Sequence, residues 1–137
     1  MPTASGPTVQ VFGVVDSRPT QAALRFFKER RVPIHFVDLR RRPIAPGELR
    51  RFVERLGARA LADENGKAWR DAGLTSLRMD DDELAGRLLA DLRLIRLPLV
   101  RNGAHVTAGV AEAAWREWLR APAAAASPGP AARPPAR

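Results

Sequence analysis

At 137 residues the chain has room for one domain with a real core but not for two. Its 45% hydrophobic content is that of a globular protein, and no apolar run approaches the roughly 20 residues of a membrane span. A net charge of +8 attracts phosphate in principle. The basic residues, however, are arginines spread over most predicted helices, with Lys28 and Lys67 as the lysines. Their densest runs, Arg30-Arg31 and Arg40-Arg41-Arg42, flank a strand and do not line one helix face, so nucleic-acid binding is not expected. The start, MPTASGPT, has neither a basic segment nor an apolar core, so a cytoplasmic location is expected.

Residues 1–7 read as a small polar, flexible leader. An apolar strand, Val9 to Phe12, runs into Gly13, and a helix follows from about Pro19 to Arg30. In it Ala22, Ala23, Phe26 and Phe27 recur on one face. Proline suits a first helical turn, where its missing N–H costs nothing, which makes Ser17 or Arg18 the cap residue. Val32-Pro33 turns into a second strand, Ile34 to Leu39. Pro46 opens a helix to about Leu56 with Leu49, Phe52, Val53 and Leu56 at i, i+3, i+4 and i+7, and Gly57 stops it.

Residues 58–79 are the least periodic, with short helical pieces expected around Arg59–Asp63 and Lys67–Ala72. Asp80-Asp81-Asp82-Glu83 places acid at the start of another helix, which the macrodipole favours. Leu84, Leu88, Leu89 and Leu92 form its predicted buried stripe. Leu97-Pro98-Leu99-Val100 is expected to start a third strand, with Asn102-Gly103 as a two-residue hairpin turn. His105 to Ala108 then makes a fourth, and a final helix from Ala111 to Leu119 offers Trp115 and Trp118 to the core. After Arg120 the Ala/Pro-rich stretch, residues 121–137, contains nothing to build a core and is expected to be disordered.

This order, β-α-β, several helices, then β-β-α, predicts an α/β thioredoxin-like fold over residues 8–120, a four-stranded mixed sheet with an inserted helical segment. A strand, a tight turn and a helix N-terminus direct backbone N–H groups at whatever sits there. In thioredoxin-like folds that place holds a reactive thiolate stabilised by the helix end. Here it holds Asp16-Ser17-Arg18, and the chain contains no cysteine.

The same residues carry a resemblance to the ArsC/Spx family of glutaredoxin-coupled arsenate reductases, reductase-like relatives and Spx transcription regulators. Phe12-Gly13-Val14-Val15-Asp16-Ser17 with Ala22-Ala23 resembles the family's first turn and helix, and Ser17 falls on its cysteine. Asp38-Leu39-Arg40, Pro46-Gly47-Glu48-Leu49, Asn65-Gly66-Lys67-Ala68-Trp69-Arg70, Leu94 to Val100, and Asn102-Gly103 through Gly109 resemble further family segments in the family's order.

The resemblance implies an arsenate-type oxyanion bound at the first turn, reduced through a thiol and held by arginines. Serine in that pocket forms neither the sulfur–arsenic adduct nor the disulfide of the cycle. The regulators' Cys-x-x-Cys switch is excluded as well, since Ser17 and Thr20 stand at its positions. Anion binding survives loss of the thiol more easily: the N–H groups after Ser17 remain and Arg18 is adjacent. The family's arginine directly before the proline is here Leu97, with Arg96 one residue earlier. On a strand, neighbouring side chains face opposite ways, so Arg96 is not expected to take its place. Pro98 stands where thioredoxin-like folds place a cis-proline, and its preceding peptide could pair with an extended or glutathione-like ligand.

The remaining polar features read as structural. Ser17 is by its chemistry a helix cap. His35 and His105 read as strand residues, Trp69 as a packing residue, and Asp80 to Glu83 as a solvated cap and not a metal site. No cofactor is expected, and the protein is expected to be a monomer. Three functions stand open: a non-redox binding or regulatory protein, with Ser17, Arg18, Arg96 and Pro98 as anion- or ligand-binding candidates; an Spx-like regulator docking on RNA polymerase; and a reductase-family enzyme using glutathione or a non-cysteine mechanism.

Overall fold

The computed structural model describes residues 8–120; the leader predicted at 1–7 and the tail predicted at 121–137 lie outside the described residues. Four strands, β1 (Val9–Gly13), β2 (Ile34–Asp38), β3 (Leu99–Asn102) and β4 (His105–Ala108), form one mixed sheet in the order β2-β1-β3-β4. β1 runs parallel to β2 and antiparallel to β3, which pairs antiparallel with β4. Parallel neighbours need a crossover, and helix α1 (Arg18–Glu29) supplies it. Between β2 and β3 lie α2 (Pro46–Leu56), α3 (Lys67–Asp71) and α4 (Asp81–Ala90), and α5 (Glu112–Arg120) follows β4. Among the described residues no helix is long and apolar enough to cross a membrane.

Successive side chains of a strand point to opposite faces, and the core divides accordingly. Val9 and Val11 of β1 and Val100 of β3 pack with Ala23, Phe26 and Phe27 of α1 and Trp115 and Trp118 of α5. The Trp115 ring is fully buried against both phenylalanines, at centroid distances of 5.3 and 5.2 Å. Its indole N–H donates to Thr107 Oγ1 at 2.9 Å, so the buried polar atom is satisfied. On the other face Phe12 and Leu99 pack with Leu49 and Phe52 of α2, Trp69 of α3, and Leu84 and Leu88 of α4. Trp69 is 3% exposed, which makes it a core residue.

Local details depart from expectation where tertiary contacts intervene. Leu89 is 36% exposed, and Leu92 lies beyond α4 in a 3₁₀ turn, Leu92–Leu94, so the stripe of α4 reduces to Leu84 and Leu88. Asp80 caps α4, accepting from Glu83 N–H at 2.8 Å while Glu83 Oε1 accepts from Asp80 N–H at 3.2 Å. The hairpin turn sits one residue later than expected: Asn102 pairs with His105, leaving Gly103 and Ala104 as the loop. Gly103, at φ 62°, supplies the positive dihedral that a two-residue hairpin demands of its first loop residue.

Candidate functional site

The sequence builds the first turn from short-range bonds. Leu39 N–H donates to Gly13 O at 2.8 Å, tying the end of β1 to β2, and Ser17 N–H donates to Val14 O at 3.1 Å. Gln21 on α1 reaches back to donate to Val15 O at 2.7 Å. Ser17 has extended dihedrals (φ −81°, ψ 124°) and its Oγ accepts from Thr20 N–H at 3.3 Å, so it is the N-cap of α1, with Arg18 and Pro19 as the first helical residues. Thr20 is fully buried beneath the turn, against Gly13, and its Oγ1 has no hydrogen-bond partner.

Beside this cap opens a cleft of about 410 Å³, lined by Val14, Ser17 and Pro19 from the turn and by Arg40, Asp63, Arg93, Arg96 and Leu97 from elsewhere. Arg40 follows β2, the parallel neighbour of β1, so both strands deliver their following residues to the same end of the sheet. Arg93 lies in the 3₁₀ turn after α4. The inserted segment is tied to the approach to β3 by an isolated bridge between Ala62 and Ile95. Within it Asp63 N–H donates to Leu94 O at 2.8 Å and Arg96 N–H donates to Leu61 O at 2.7 Å. That bridge brings Asp63 and Arg96 to one wall.

Of the sequence-predicted site residues, Ser17 and Arg96 therefore come together. Arg18 is exposed on the first turn of α1 and is not among the residues lining the cleft. Pro98 is buried, follows a cis peptide bond, and accepts from Gly109 N–H at 2.9 Å through its carbonyl. Arg96 and Leu97 both contribute to the lining of the cleft. Strand geometry begins only at Leu99, so the alternation rule does not reach them. The Arg96 stem passes over Gly109, where a Cβ would lie 2.9 Å from Arg96 Cδ.

Sequence reasoning did not single out Arg40 or Arg93 as cleft residues. A signal for Arg40 existed in its place at the end of the strand that pairs with β1. Arg93 had none, because the position of its turn depends on how the insertion packs. Asp91 holds Arg93, accepting from Nε at 3.0 Å and from Nη2 at 2.8 Å. The hydrogen bond from the Arg93 side chain lowers the Asp91 pKa below the ordinary value of 3.8. Neither His35 nor His105 lines the cleft: His35 meets Gln10 across β1 at 3.2 Å, and His105 lies against the Trp118 ring at 6.2 Å between centroids. Among the described residues no group of three or more His, Asp or Glu side chains is placed to hold a metal ion.

The model of the ArsC family matches residues 15–118, which takes in the Ser17 cap, the insertion, the Pro98 segment and both tryptophans of α5, Trp115 and Trp118. The chain belongs to the ArsC family. Its membership agrees with the solved structures that share its fold. An arsenate reductase from Vibrio cholerae is 16% identical, with a TM-score of 0.67 over 76% of this chain and 91% of that one. An ArsC family related protein from Bacteroides fragilis is 17% identical, with a TM-score of 0.73 over 80% and 95%. The YFFB protein is 20% identical, with a TM-score of 0.72 over 80% and 96%. No curated protein matches the chain by sequence. These likenesses give the thioredoxin-like architecture of the ArsC family, and this member carries it without any cysteine.

Proposed function

We propose that this chain is a non-redox member of the ArsC family that binds an oxyanion at the cleft beside the α1 N-terminus. The observation that carries the reading is the cleft itself, whose lining includes Arg40, Arg93 and Arg96 with Asp63, next to a helix start capped by Ser17. Guanidinium forks and helix-end N–H groups are the chemistry that holds phosphate-like anions. With serine in the family's cysteine position, neither an arsenic adduct nor a disulfide forms. In this reading the protein is a cytoplasmic monomer, and its ligand is a small oxyanion or the carboxylates of a glutathione-like peptide.

Isothermal titration with arsenate, phosphate and glutathione tests the binding, and an arsenite-forming assay with glutaredoxin or thioredoxin tests the chemistry. Saturable anion binding that Arg96→Ala weakens, with no arsenite above a heat-killed control, is the expected result. Enzyme-dependent arsenite formation would overturn the non-redox reading. Absence of anion and glutathione binding, together with retention of RNA polymerase on the immobilised protein, would move the chain to the regulators.

A further inference from the structure

The three guanidiniums of the cleft are not equivalent. Arg93 is clamped within its own turn, because Asp91 accepts from its side chain and also from its backbone N–H, at 3.0 Å. Arg96 makes no side-chain hydrogen bond or ion pair among the described residues, so its charge is available to a ligand. Arg40 stands between these cases. Its Nη1 lies 2.9 Å from Asp16 Oδ2, in a pair whose side chains are 57% and 65% exposed. Asp16 is the residue immediately before the Ser17 cap and does not itself line the cleft, so it reaches the cleft only through Arg40. Unlike Asp91, its side chain accepts from no backbone N–H among the described residues, and Arg40 is its single partner there.

We infer that Asp16 is an intrachain competitor at the edge of this cleft, a carboxylate that an anion has to displace from Arg40. The inference rests on the anion-binding reading above. Its physical content is an exchange: a ligand that reaches Arg40 gains one guanidinium contact but breaks one ion pair and sits beside the released carboxylate. A carboxylate or other monoanion only replaces like with like. A tetrahedral dianion, such as inorganic phosphate or a phosphate monoester near neutral pH, offers more charge and more acceptor oxygens than Asp16, enough to engage Arg40 and Arg96 together. Breaking the Asp16–Arg40 pair costs the same for either ligand, and the released carboxylate repels a dianion more than a monoanion. Asp16 therefore lowers the affinity of the cleft for anions in general, and most for the dianion.

The test is titration calorimetry with inorganic phosphate and with acetate on the full chain and on Asp16→Asn, Asp16→Ser, Arg40→Ala and Asp16→Asn/Arg40→Ala. Both Asp16 variants should bind phosphate about threefold to fivefold more tightly, the scale of one exposed ion pair. Acetate affinity should rise by no larger a factor, because the freed carboxylate repels a monoanion less, and the phosphate gain should shrink when Arg40 is absent. Since Asp16 is exposed, unchanged circular dichroism is expected, and two replacements guard against an effect peculiar to one. Equal phosphate affinity with and without the Asp16 carboxylate, or a gain undiminished in the Arg40→Ala background, overturns the role of Asp16 and leaves the anion cleft standing. No phosphate binding by any of the proteins overturns the cleft reading and this inference with it.

Discussion

Gly13→Ala should open the joint between β1 and α1 on which the Ser17 turn rests. A methyl built at Gly13 would fall on Thr20 Oγ1, 2.7 Å from its Cγ2 and 3.1 Å from its Cβ. Those atoms do not yield easily, because Thr20 is β-branched, fully buried and in the first turn of α1. The Gly13 backbone is not left-handed, so alanine is tolerated by its dihedrals, and the unfolded-state effect alone would favour it by about 0.4–1 kcal/mol. Overpacking opposes this by about 1–3 kcal/mol, leaving a net loss of about 1–2 kcal/mol. Thr20→Ala should be close to neutral: it removes a buried hydroxyl without a partner, worth about 1–3 kcal/mol of desolvation, and it forfeits a buried methyl worth about 1 kcal/mol. In the double variant the new methyl enters the space that Thr20 vacates. Urea denaturation of the four proteins should then give a favourable coupling of about 1 kcal/mol or more. Phosphate binding should fall in Gly13→Ala and return in the double variant. Coupling below about 0.3 kcal/mol, the ordinary error of additivity, would refute the clash. A Thr20→Ala loss above about 2 kcal/mol would show that the hydroxyl is satisfied after all.

Ser17→Cys should give a thiol whose pKa lies below the free value of about 8.5, because the α1 N-terminus favours thiolate; the pH profile of its alkylation rate measures this, and a value at or above 8.5 refutes it. That variant should reduce arsenate poorly and improve when Leu97→Arg adds a guanidinium to the cleft wall, as an arsenite-forming assay would show. Asp91 should titrate below the usual carboxylate range of about 3.9 and return towards it in Arg93→Ala, followed by carboxyl carbon NMR. Since the folded-state value is depressed, the stabilisation that this carboxylate gives its 3₁₀ turn is complete above about pH 4 and is lost as pH falls through the lower folded value. An unshifted titration in the unsubstituted protein would contradict the Asp91–Arg93 geometry.

Local interactions made much of this protein legible from its sequence. A cap, a proline in the first helical turn and a 3.6-residue apolar period act within a few residues of one another. That is why the β1–turn–α1 unit, the α2 stripe of Leu49 and Phe52, and the Asp80 cap lie where the residues place them. The absence of a cysteine thiol is likewise a property of composition, which the fold does not alter. Pairing and packing decided the rest. Whether the hairpin turns at Asn102-Gly103 or at Gly103-Ala104 depends on which residues of β3 and β4 face each other, and the observed register pairs Asn102 with His105. Leu89 has the right spacing for the α4 stripe but finds no partner surface to cover it fully. The cleft is the clearest case. Arg40, Arg93 and Arg96 are remote from Ser17 along the chain, and no spacing rule connects them. The parallel register of β1 with β2 and the bridge between Ala62 and Ile95 bring them to one wall, because backbone hydrogen bonds between distant segments set where those side chains emerge.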